Sequence, residues 1–172
     1  MQYVAKFYKD DDGIGVEFPD VPGAYTCADS LDEAMNMAKE ALNGVLRSML
    51  ERHDPLPVAK TKPNVEKKLI PIDVDDGLAI EYSIYEARRG KSAASVARSM
   101  GISRQSFQHF ENAKLSMSIA NLIKIASALN KHVEIQLVDN YDYSMLRRNI
   151  NESRKYKSTR SSRVREEDLV EV

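Results

Sequence analysis

One cysteine, Cys27, in 172 residues excludes an internal disulfide and a clustered-cysteine metal site. Long apolar runs are missing too. None approaches the roughly 20 residues a membrane span needs, and the N-terminus, MQYVAKFYKD, lacks an apolar core of signal-peptide length. A reducing cytoplasm is the expected location. The three histidines, His53, His109 and His132, stand far apart, with no nucleophile or ligand spacing beside them. Each is expected at the surface or in packing, and no cofactor or metal is implied. Cys27 falls inside an expected strand and reads as a buried small hydrophobe.

What is present is a hydrophobic fraction of 42%, suited to a globular chain long enough for one domain or two small ones. The net charge of −1 conceals an asymmetry. Residues 1–75 hold 14 acidic and 9 basic side chains, net −5, whereas residues 76–139 hold 6 and 8, net +2. The first half repels nucleic acid and the second tolerates it, which reads as a division of labour.

The most informative stretch is Ser92 to Asn112, SAASVARSMGISRQSFQHFEN. Val96, Ala97 and Met100 form one apolar helical face. Gly101 permits a sharp turn, Ile102 plugs it, and Ser103 is a good N-cap for a second helix whose inner face is Phe107 and Phe110. Two short helices about such a turn make a helix-turn-helix, whose second helix enters the DNA major groove. Its outward residues here are Arg104, Gln105, Gln108 and His109, all able to hydrogen-bond bases. With Ser103, and with Lys91 and Lys114 as phosphate contacts, these are the expected DNA-binding residues. The bland alternative is a bundle fragment with a polar face.

In the first half, Tyr3–Tyr8 and Ile14–Phe18 read as a hairpin about Asp10-Asp11-Asp12-Gly13. Phe18-Pro19-Asp20-Val21-Pro22-Gly23 makes a rigid loop, and Ala24–Ala28 a third strand. Ser30-Leu31-Asp32-Glu33 is a capping box opening a long helix with Leu31, Ala34, Met35, Ala38, Leu42, Val45, Leu46 and Met49 along one stripe, ending before Pro55. Ala59–Asn64 reads as a flexible, basic connector. Lys67–Val74 is a fourth strand, with Pro71 arguing for an edge or bulge. The expected fold class is α+β: a β-β-β-α-β domain, residues 1–75, then an all-α helix-turn-helix domain, residues 76–139, closed by a terminal strand.

The run Lys91–Lys114 resembles the lambda-repressor-like (Xre/Cro) helix-turn-helix family through Val96-Ala97, Met100-Gly101-Ile102-Ser103 and Glu111-Asn112. It departs from that family at Ala93, often glutamine there, and at Ala113, usually glycine. The first half resembles the HicB antitoxin family through Tyr3-Val4-Ala5, the Phe18–Gly23 loop, and Ser30-Leu31-Asp32-Glu33-Ala34 leading to Ala38-Lys39-Glu40-Ala41. The resemblance implies a partial ribonuclease H-like N-terminal domain. It also implies an antitoxin that neutralises a HicA-type mRNA interferase toxin and represses its own operon. Nuclease activity is not expected: two-metal hydrolysis needs converging carboxylates, and the first strand, Val4-Ala5-Lys6-Phe7, supplies none at its centre.

Beyond the motif, Ser116 or Ser118 caps a helix whose inner face is expected to be Ile119, Leu122, Ile123, Ala126 and Leu129, with Asn130 at its C-terminal end. His132–Val138 alternates, placing Val133, Ile135 and Leu137 on one face. Pairing with the same strand of a second subunit would satisfy its backbone. A homodimer or homotetramer on an inverted-repeat operator follows, with packing on its own domain as the alternative. Residues 140–172 open with a basic stretch and read either as an arm on DNA phosphates or as a solvated, disordered tail. The rival to the antitoxin is a stand-alone transcriptional regulator whose N-terminal domain senses a ligand or oligomerises.

Overall fold

The computed structural model describes residues 1–10, 13–111 and 118–137, the side chains of residues 109–111 excepted. The expectations for Asp11, Asp12, Asn112, Ala113, Lys114, Ser116, Val138 and the tail 140–172 lie outside the described residues. The described elements are β1 (Gln2–Lys9), β2 (Ile14–Glu17), β3 (Tyr25–Ala28), α1 (Leu31–Glu51), β4 (Leu69–Asp73), α2 (Asp76–Ala87), α3 (Ala93–Ser99), α4 (Arg104–Glu111) and α5 (Ile119–Ala128). The class is α+β.

The four strands form one antiparallel sheet in the order β3-β2-β1-β4. Alternation puts Tyr3, Ala5 and Phe7 of β1 on the face that α1 covers, with Val16, Ile70 and Ile72 beside them. Across from them lie Ala34, Ala38, Leu42, Leu46 and Leu50 of α1, spaced at helical intervals. Ser30 starts that helix, its hydroxyl accepting from the Glu33 N–H at 3.3 Å. The helix ends at Arg52 with His53 in the left-handed region (φ 60), so the His53 and Asp54 N–H groups bond back to Leu50 and Met49 carbonyls.

Cys27 is exposed, against expectation. In the ladder it pairs with Gly15, on the sheet face away from α1, while Thr26 and Ala28 point inward opposite Val16 and Ile14. On that outer face the Tyr8 ring lies over Gly15, where a Cβ would come within 2.4 Å of the ring.

The segment Ala59–Asn64 is tied down, which corrects its reading as a flexible connector. The Asp20 carboxylate accepts the backbone N–H groups of Lys60 and Thr61 at 2.8 and 2.7 Å. The Tyr3 hydroxyl donates to the Pro57 carbonyl at 2.6 Å. The Thr61 N–H foremost, with that of Lys60, holds the Asp20 carboxyl below its usual value.

A second core gathers Ile84, Val96, Ala97, Phe107, Ile125 and Leu129. The helix α2 serves both cores: Leu78 is buried in the first and Ile84 in the second. The inner face of α5 is as expected at Leu129, which is buried, and Leu122, which packs against this core, but Ile125 is buried where Ile119 and Ile123 were expected, and those two are exposed. Asn130, in the left-handed region (φ 57), closes that helix, with Asn130 and Lys131 N–H groups bonded to Ser127 and Ala126 carbonyls.

Residues 131–137 form no strand within the single chain; the expected pairing partner of this segment is a second subunit. A ladder needs a second strand, and the four strands of the described residues all belong to the N-terminal sheet.

Candidate nucleic-acid interface

Helix α3 begins at Ser92, whose side chain accepts from the Ser95 N–H at 3.1 Å. Its other end is a complete Schellman motif. The Gly101 N–H donates to the Arg98 carbonyl at 3.1 Å, and the Ile102 N–H to the Ala97 carbonyl at 3.0 Å. That closure needs a residue in the left-handed region, and Gly101 has φ +68. The chain thereby turns sharply into α4.

Ser103 caps α4: its Oγ accepts from the Ser106 N–H at 3.0 Å and lies 2.8 Å from the Ser106 Oγ. Its side chain is thus engaged in holding the helix start, with the hydroxyl pair at the exposed end. Phe107, 0% exposed, anchors α4 in the second core, where α4 packs against α3 and α2. With Phe107 inward, Arg104, Gln105 and Gln108 sit at i, i+1 and i+4 and share one exposed flank of the helix. His109 lies on the same helix, its side chain outside the described part, as is the whole of Lys114. Lys91 is exposed just before the α3 cap, in a loop where its N–H donates to the Arg88 carbonyl at 2.8 Å.

Arg98, exposed in the last turn of α3, is a cation on this surface that the motif reading passed over. Its signal was the burial of Val96 and Ala97, which turns the next residue outward. The expected interface residues Ile135 and Leu137 are exposed, at 60% and 94%, whereas Val133 is half-buried. Val133 helps wall a cavity of about 250 Å³ between α2 and α5. Among the described residues, no three His, Cys, Asp or Glu side chains are grouped to hold a metal ion. No described helix is long and apolar enough to cross a membrane.

Comparison with known proteins extends this geometry. Residues 3–76 match the HicB-like antitoxin family of bacterial toxin–antitoxin systems, and residues 84–136 match a helix-turn-helix family. Antitoxin HicB 2 of Photorhabdus laumondii is 30% identical over 135 residues, covering 78% of this chain and 95% of that protein. Antitoxin HicB 1 of the same organism is 25% identical, covering 74% and 81% respectively. A chain from a solved HicA3 and HicB3 toxin–antitoxin complex is 20% identical, with a TM-score of 0.37 over 44% of this chain and 99% of that one. A helix-turn-helix with its polar face outward, carried behind a sheet domain that matches antitoxins, places this chain in the HicB antitoxin family, as a member with a helix-turn-helix DNA-binding domain.

Proposed function

We propose that the chain neutralises a HicA-type mRNA interferase toxin through its sheet domain and represses its own operon through α4. The observation that carries the DNA half is the exposed row Arg104, Gln105 and Gln108 on a helix anchored from behind by Phe107. Arginine and glutamine pair with guanine and adenine edges respectively, which suits base reading. Lys91, Arg98 and Lys114 supply phosphate contacts, and His109 belongs with the base-reading set. For the toxin half, the net −5 of residues 1–75 suits a basic, RNA-binding partner. The domain boundaries follow this division: residues 1–75 for the toxin, 76–139 for DNA, and 140–172 as a basic tail.

The protein acts by binding in the cytoplasm and is not an enzyme. It works as a dimer or tetramer, pairing Val133, Ile135 and Leu137 across a twofold axis. Ile135 and Leu137 stand exposed in a segment without a ladder, which supports that role.

The test is joint. Co-expression with the product of an adjacent small basic reading frame should restore growth and yield a co-purifying complex. The same protein should retard its own promoter fragment at an inverted repeat. Loss of both would overturn the reading, and DNA binding without a co-purifying toxin would favour a stand-alone regulator.

A further inference from the structure

The sheet has two edges, and the chain guards only one. Along β4, the Phe7 N–H donates to the Lys68 carbonyl and the Val74 N–H to the Met1 carbonyl, both at 3.0 Å. In that register Ile70 and Ile72 bond to β1, so Leu69, Pro71 and Asp73 turn their backbones outward. The outward groups of Leu69 are taken by Asn64, at 2.8 and 2.9 Å. Pro71 has no N–H to offer, and Asp73 adds a charge. Such features blunt an edge against further pairing.

The other edge, β3, carries none of them. The Phe18 N–H donates to the Ala24 carbonyl at 3.1 Å, which makes Thr26 and Ala28 the residues bonded to Val16 and Ile14. Tyr25 and Cys27 alternate with these and turn both backbone groups away from the sheet. The segment Tyr25–Ala28 has no charge, proline or glycine, and Tyr25 is 74% exposed.

We propose that β3 pairs with β3 of a second copy, antiparallel about a twofold axis at Thr26, joining two sheets into one. Each Tyr25 then lies opposite Cys27 of the second copy. The two residues with free backbone groups are the two that this register bonds, so the edge is its own complement. Charge agrees. The register sets Ala24 opposite Ala28 and Asp29 opposite Gly23, so acidic side chains do not meet although each domain carries net −5. The pairing is independent of the C-terminal interface and of DNA reading.

Tyr25→Cys in the full chain tests the register. A directly opposed, hydrogen-bonded pair has Cα atoms about 5.5 Å apart, within disulfide reach. Mild oxidation should convert this variant to covalent dimers on a non-reducing gel. The natural protein should stay monomeric there, because two Cys27 residues would be diagonal neighbours, about 7–8 Å apart. Tyr25→Lys, which charges the edge, should remove one association step in sedimentation while circular dichroism is unchanged. Absence of covalent dimers in Tyr25→Cys, cross-linking through Cys27 alone, or unaltered association in Tyr25→Lys would each overturn the proposal. Loss of toxin binding with intact self-association in Tyr25→Lys would assign the edge to a toxin strand instead, and overturn it equally.

Discussion

The Tyr85 hydroxyl donates to the His53 backbone carbonyl at 2.9 Å, and the two rings stack 5.8 Å apart and within 6° of parallel. This fastens the end of α1 to α2. The same seam holds the buried Asn43, whose Oδ1 accepts the Asp75 N–H at 2.9 Å, and a Lys39–Asp75 ion pair at 3.1 Å. The helix that begins the DNA-reading half is therefore fixed to the sheet domain.

The seam governs how the chain can be divided. A fragment of residues 1–75 lacks Leu78, which fills the first core, and should unfold at lower denaturant than a fragment of residues 1–90. In the full chain, Leu78→Ala should cost roughly 2–5 kcal/mol in urea unfolding. Equal stability of the two fragments would contradict this.

Stability should depend on Asp20 in acid. Its folded value lies below the usual 3.8, so its contribution is present above that value and is lost as pH falls through the lower folded one. Asp20→Asn should lower the melting temperature near neutral pH, and the gap to the natural protein should close in acid. A gap that widens on acidification would refute the assignment.

Gly101→Val should destabilise the chain by about 1–2 kcal/mol, because a β-branched residue fits poorly at φ +68. Gly101→Asn should lose less, since asparagine tolerates that region. Thermal denaturation of the two variants measures the ordering.

Arg104→Ala should lose on the order of 1–3 kcal/mol of operator affinity and relax preference at one base pair. Lys91→Ala should instead weaken all sequences similarly and flatten the salt dependence. Anisotropy titrations at two salt concentrations separate these outcomes.

Ile135→Asp should weaken operator binding strongly, because it charges the apolar face on which the half-sites would be paired. Half-site centres are expected about 34–36 Å apart, or a multiple of that. Toxin binding should survive. Ultracentrifugation showing unchanged association in this variant would move the interface elsewhere.

Local chemistry explains what was legible beforehand. Ser30 and Ser103 were readable as helix starts, and Ser118 as one of two candidates with Ser116, because each cap bond spans only three residues. The outward set Arg104, Gln105 and Gln108 followed from one inward phenylalanine. Long-range partners were not readable. The anchor of Lys60 and Thr61 is Asp20, 40 and 41 residues earlier, and nothing within Ala59–Asn64 announces it. The exposure of Cys27 depends on its pairing with Gly15, since a four-residue strand offers little polar contrast of its own. Helix α5 is apolar nearly all round, so Ile84 and Phe107, rather than its own sequence, decide that Ile125 faces in and Ile123 out.

A helix counted in two cores also constrains how such a protein could be recombined. A new DNA reader grafted after residue 75 would bring its own first helix. That helix would have to fill the place of Leu78 and meet His53 as Tyr85 does. Exchange of readers between antitoxins is thus easiest just beyond α2, at the Gly90 turn, where the helix stays with the sheet it completes and only the packing around Ile84 must be matched.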